Sequence, residues 1–85
     1  MRQPQTFTAE MGARLATVRA DSGLPVTQFA ASVDATEQDY LAWEAGQQEM
    51  PTQLLRALFD RYDVDVSWLI SGQGQRYNGS EDVDP

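Results

Sequence analysis

The chain contains no cysteine, no histidine and no lysine. Without cysteine there is no disulfide and no thiolate nucleophile. Without histidine there is no imidazole base, and the two absences together remove most zinc and iron ligation. The missing lysine leaves six arginines against thirteen Asp and Glu, a formal charge of −7. Dispersed negative charge keeps a small protein soluble. Nucleic-acid partners usually demand the opposite sign, because phosphate neutralisation supplies most non-specific affinity. No run approaches the roughly 18 apolar residues of a membrane helix, so no membrane partner is expected. The opening M-R-Q-P-Q-T-F-T has no apolar h-region, and a secretory leader is not expected. The simplest reading is a cytoplasmic protein without cofactor or metal.

What is present fits one small domain. A chain of 85 residues buries only around 60% of its unfolded surface, and two Trp, three Tyr and three Phe are there to fill one core. Residues 1–7 read as a flexible arm, and Thr8 as the N-cap of a first helix with Glu10 in its first turn. Met11, Leu15 and Val18 make an apolar stripe, and Gly23 ends the helix. A short second helix is predicted over 26–32, burying Phe29, Ala30 and Val33. Thr36 is a good N-cap for a third, with Tyr40 and Trp43 inward and Gly46 closing it. Pro51 precedes a fourth helix over 52–62, whose Leu54, Leu55, Leu58, Phe59 and Tyr62 give a wide apolar face. Asp65 caps a fifth, V-S-W-L-I-S, stopped by Gly72. Trp43 and Trp68 are expected in the core, with Met50 and Ile70 partly exposed. The polar, Gly-bearing, acidic stretch 73–85 is expected to be disordered. The fold class is therefore all-α, five helices in a compact domain over 8–72. D-V-D-V (63–66) lacks the spacing and glycine of a calcium loop and reads as turn plus N-cap.

The order of these residues resembles the lambda-repressor-like, XRE (Cro-type) helix-turn-helix family. The resemblance rests on G-A-R-L-A-T-V-R (12–19), G-L (23–24), F-A (29–30), Y-L-A-W-E-A-G (40–46), Pro51 and D-V-D-V-S-W-L-I-S-G (63–72). It implies a compact five-helix lambda-repressor-like domain whose recognition helix is 36–45. The two central helices of that motif pack closely over a small residue, here Ala30. The turn four residues later needs positive φ, usually supplied by glycine. Asp34 stands there, and Asp63 stands at a second such turn; aspartate tolerates that region better than most residues. The family also implies a structural ion pair between Arg19 and Glu44, tying helix 1 to helix 3.

As a member of that family the protein would be a DNA-binding transcriptional regulator, not an enzyme, working as a homodimer on double-stranded DNA. The candidate DNA-binding residues are Thr36, Glu37, Gln38 and Asp39 at the head of helix 3, Gln47 and Gln48 beyond it, and Arg14. Several positions depart from the pattern. Pro25-Val26 opens helix 2 without a side-chain donor, Ala42 offers only a methyl group, and the loop carries Glu49. Between Ala20 and Leu55 there is no basic residue against six acidic ones. A carboxylate about 6 Å from a phosphate costs roughly 0.7 kcal/mol in bulk water, and more when desolvated. Glu37 and Asp39 in the first turn also favour the helix dipole, which accounts for acidic residues there without any partner. Weak or partner-dependent DNA affinity is the expectation. The alternative is a helix-turn-helix fold repurposed for protein contacts, an antirepressor-like or regulatory partner that does not bind DNA itself. Its acidic face would meet a basic protein surface or pair with a conventional DNA-binding subunit.

Overall fold

The computed structural model describes residues 5–78, with side chains from Thr8 onward. Five helices follow one another: α1 Gln5–Ser22, α2 Val26–Ser32, α3 Glu37–Glu44, α4 Thr52–Tyr62 and α5 Val66–Ser71. The domain is all-α and compact, with a Cα radius of gyration of 12.9 Å. Leu15, Val18, Phe29, Ala30, Tyr40, Trp43, Leu54, Leu58, Val64 and Leu69 form one core drawn from every helix. Among the described residues no helix is long and apolar enough to cross a membrane, and no His/Cys/Asp/Glu group is placed to hold a metal.

The punctuation of the sequence explains where the helices stop. α2 ends in a Schellman turn. The Ala35 N–H donates to the Ala30 carbonyl at 2.9 Å and that of Asp34 to Ala31 at 3.1 Å, with Asp34 left-handed at φ 61°. Asp63 ends α4 in the same conformation, at φ 60°. Thr36 caps α3 by accepting the Asp39 N–H at 3.1 Å, and Asp65 caps α5 through the Ser67 N–H. The last turn of α4 secures the turn between α2 and α3. Arg61 donates to the Ser32 carbonyl and pairs with Asp34 at 3.1 Å, while the Tyr62 hydroxyl bonds that of Ser32.

α1 lies against α3 at very short range. A Cβ on Gly12 would stand 2.3 Å from the Glu44 carbonyl oxygen and 2.6 Å from that of Trp43. On Gly46 it would stand 2.8 Å from the Ala9 Cα. Two missing side chains thus let the backbones meet. Arg19 then locks the pair from the side, its Nε donating to Glu44 Oε2 at 2.7 Å and its Nη2 to Oε1 at 3.3 Å. The Tyr40 hydroxyl donates to the same carboxylate. Burial raises the Tyr40 phenol pKa, and the Glu44 hydrogen bond raises that of Arg19. The phenol therefore stays neutral and the guanidinium charged.

Four expectations need correction. α1 begins at Gln5, three residues before the expected cap Thr8, so residues 5–7 of the supposed arm are helical; residues 1–4 lie outside the described residues. The apolar face of α4 is too wide to be covered, and Phe59 is 49% exposed. Trp68 is only half-buried at the rim of the core, with the Arg76 guanidinium 5.4 Å over its ring.

The fourth concerns the tail. Residues 73–78, expected to be disordered, fold back as a strap, whereas 79–85 lie outside the described residues. Tyr77 bridges antiparallel to Val64, the Asp65 N–H donates to the Arg76 carbonyl at 2.8 Å, and the Asn78 N–H to Asp63 at 2.9 Å. Asp21 at the end of α1 anchors the strap, accepting from Arg76 at 2.6 Å and the Tyr77 hydroxyl at 2.8 Å. Low composition-based order is overridden by these specific partners.

The anchor predicts a pH window. The hydrogen bonds from Tyr77 and then Arg76 lower the Asp21 pKa below its ordinary 3.8. Its contribution is present above pH 3.8 and lost as pH falls through the lowered folded value. Burial, then the Asp21 bond, pushes the Tyr77 phenol from 10.0 up to about 12. That contribution is present below pH 10 and lost as pH rises towards 12. Protection of the Asp65 and Asn78 amides, taken relative to their intrinsic exchange rate at each pH, should hold between these limits and fall outside them. Tyr77→Phe should abolish the alkaline limb and shrink the acid one, since it removes the first of the two hydrogen bonds that hold the Asp21 pKa down while leaving that from Arg76.

Candidate functional site

α3 offers the chain's candidate binding surface because its two sides have different partners. Successive residues of a helix are about 100° apart, so Gln38, Leu41, Ala42 and Ala45 share one face while Tyr40 and Trp43 turn into the core. The Tyr40 and Trp43 rings meet edge to face at 6.4 Å, and Tyr40 meets Phe29 of α2 likewise at 5.5 Å. The inward face is thereby fixed. The outward one is continued by Gln47 and Gln48, and the six residues line one open concavity. Leu41 is 45% exposed within it.

The lining is uncharged. Glu37 and Asp39 sit about 100° to either side of the Gln38 direction, so they flank the concavity rather than floor it. Glu37 is also engaged, its Oε1 accepting from Thr27 of α2 at 2.8 Å. Thr36 is occupied as the helix cap, with its hydroxyl oxygen turned to the Asp39 N–H. Of the candidate residues, the structure therefore brings together Gln38, Gln47 and Gln48. It sets Glu37 and Asp39 at the rim and commits Thr36 to the helix cap.

Arg14 belongs elsewhere. Its Nη1 donates to the Leu69 carbonyl at 2.9 Å and to that of Ile70 at 3.2 Å, and Glu10 lies 3.8 Å away. Those carbonyls are left free at the end of α5, and a guanidinium is well suited to satisfy them. Gly72 makes room for it, since a Cβ there would stand 2.6 Å from Nη2. Arg14 is a helix-end clamp.

The same holds for every arginine described. Arg14, Arg19, Arg56, Arg61 and Arg76 each lie within 4 Å of a carboxylate, those of Glu10, Glu44, Asp60, Asp34 and Asp21 in turn. None of the described arginines joins Gln38, Gln47 and Gln48 in the concavity. Sequence reasoning passed over Leu41 and Ala45, although the 38, 41, 42, 45 spacing places both beside Gln38. Arrayed this way, three primary amides, one isobutyl group and two methyl groups can hydrogen-bond and make apolar contacts. They cannot neutralise charge. No family model, no curated protein and no solved structure matches the chain.

Proposed function

We propose that the protein is a small cytoplasmic transcriptional regulator that reads duplex DNA as a helix-turn-helix homodimer, with α3 as its recognition helix. The observation that carries this reading is the exposed face of α3, where amides and small apolar groups, free of carboxylates, form one concavity with Gln47 and Gln48. Further support comes from the tight left-handed turn between α2 and α3, braced by Arg61. A helix about 10–12 Å across fits a major groove about 12 Å wide. Docking then rests on shape and uncharged hydrogen bonds, and affinity on two subunits acting together.

Because the described arginines are paired within the molecule, few counterions are released on binding. A protein with 6–10 phosphate contacts loses about 10³–10⁵ in affinity between 50 and 200 mM salt; about two contacts give a loss near tenfold. A titration of pooled genomic duplex against salt should show measurable binding at about 50 mM and that shallow decline. Absence of any binding at the lower salt would defeat the proposal. Glu37→Lys with Asp39→Lys should raise affinity for all sequences and steepen the salt slope by about two. No gain from that pair would mean that α3 never reaches a phosphate.

One observation favours a second reading. Glu37, Asp39 and Glu49 are exposed, and none of them is bridged by a described arginine. Such a rim suits a basic protein surface, and the chain would then act as an antirepressor-like or regulatory partner that does not bind DNA itself. Co-purification of a basic protein, lost in the double lysine variant and accompanied by no duplex binding, would select it.

A further inference from the structure

Resting on the α3 docking proposed above, we infer that the concavity selects A·T base pairs, with Gln38 reading adenine and Leu41 and Ala42 receiving the thymine methyl. The four bases present different groups in the major groove. Guanine offers two acceptors, best met by a guanidinium or ammonium group, and cytosine offers a donor, met by a carboxylate. Adenine sets an acceptor beside a donor, which a primary amide matches in two hydrogen bonds, and thymine adds a methyl group that favours apolar contact.

The lining holds only the second kind of chemistry. Gln38, Gln47 and Gln48 bring the amides, and Leu41, Ala42 and Ala45 bring the apolar surface. The guanine-reading group is missing from it, since the five described arginines are paired with carboxylates. The cytosine-reading group is displaced, since Glu37 is held by Thr27 and Asp39 lies at the opposite rim. Leu41, at 45% exposure, stands one helical turn from Gln38 on the same face. An adenine contact and a neighbouring thymine contact are therefore within reach of one helix.

The test uses the full chain and labelled duplexes of about 20 base pairs, long enough for two half-sites a helical turn apart, at about 50 mM salt. One set is A·T-rich, one is G·C-rich, and one is the A·T-rich set with deoxyuridine for thymidine, which removes only the methyl group. The A·T-rich set should bind at least about tenfold more tightly than the G·C-rich set. Deoxyuridine should weaken it several-fold. Gln38→Ala and Leu41→Ala change exposed residues, and with helicity confirmed by circular dichroism each should shrink the preference. Equal affinity for the two compositions overturns the inference while leaving α3 docking intact. So does a preference that survives both the uracil exchange and Gln38→Ala, which would mean readout of duplex shape. Failure to bind any duplex up to about 100 μM, the weak end of non-specific affinity, overturns the docking and this inference with it.

Discussion

Gly12→Ala is expected to be among the most damaging single-atom-scale changes available to this domain. The new Cβ would stand 2.3 Å from the Glu44 carbonyl oxygen, 2.6 Å from that of Trp43 and 2.8 Å from the Glu44 carbonyl carbon. All three atoms are backbone, so no side chain can swing aside. Either α1 moves off α3 or the last turn of α3 opens. Overpacking of this kind costs about 1–3 kcal/mol, and the upper end applies because nothing flexible absorbs it. For 85 residues the total stability is about 4–13 kcal/mol. A loss of about 3 kcal/mol corresponds to a fall of roughly 12–24 °C in Tm for a domain this size. Thermal unfolding by circular dichroism measures it directly. Elsewhere in a helix Gly→Ala usually stabilises by reducing the freedom of the unfolded chain. A rise in Tm would therefore show that α1 and α3 leave room for a methyl group at position 12.

Glu44→Ala is expected to cost about 2–3 kcal/mol. Breaking a fully buried ion pair costs about 3–5 kcal/mol because the surviving charge is left without a partner. The side chains of Arg19 and Glu44 retain 28% and 15% exposure, so water recovers part of that cost. The variant also strips the Tyr40 hydroxyl of its acceptor. Arg19→Ala should be milder, since Glu44 keeps the Tyr40 bond. The double variant should cost less than the two single losses added together, because neither charge is then left without its partner, although the Tyr40 hydroxyl still lacks its acceptor. Urea unfolding of the four proteins gives the coupling energy. Strict additivity would mean that the pair is a surface decoration with no part in holding α3.

How far the sequence was legible depends on whether the signal was local. The bounds of α2, α4 and α5 could be read because Pro25 and Pro51 lead in and Asp63 and Gly72 lead out, each acting within a turn of its own position. The left-handed aspartates came through the family resemblance, which puts a positive φ at those turns, together with the tolerance of aspartate for that region. The Arg19–Glu44 pair came through the family resemblance, since nothing in a separation of 25 residues announces it. Gly12 entered the sequence reading only as one residue of the 12–19 match, and its role appears only once another backbone lies against it. Arg14 resembled a free cation until the end of α5, 55 residues away, claimed it. The strap was missed because composition reports only average tendencies, whereas Asp21, Arg76 and Tyr77 act through one specific meeting. For the candidate site, Gln38, Gln47 and Gln48 could be read from position. The separation of acids from amides across α3 emerges only when the sequence is wound at helical pitch and its buried side is known.

The crowded seam between α1 and α3 has a consequence for how this protein can change. Most of what fixes α3 in place acts on its rear: Gly12, Gly46, Arg19 through Glu44, and the rings of Tyr40 and Trp43, with the Thr27–Glu37 bond added at its side. Positions 38, 41, 42, 45, 47 and 48 bear little of that burden. They form an interchangeable faceplate on a fixed chassis, open to mutational drift or to deliberate grafting of other side chains, while the seam behind them tolerates almost no revision.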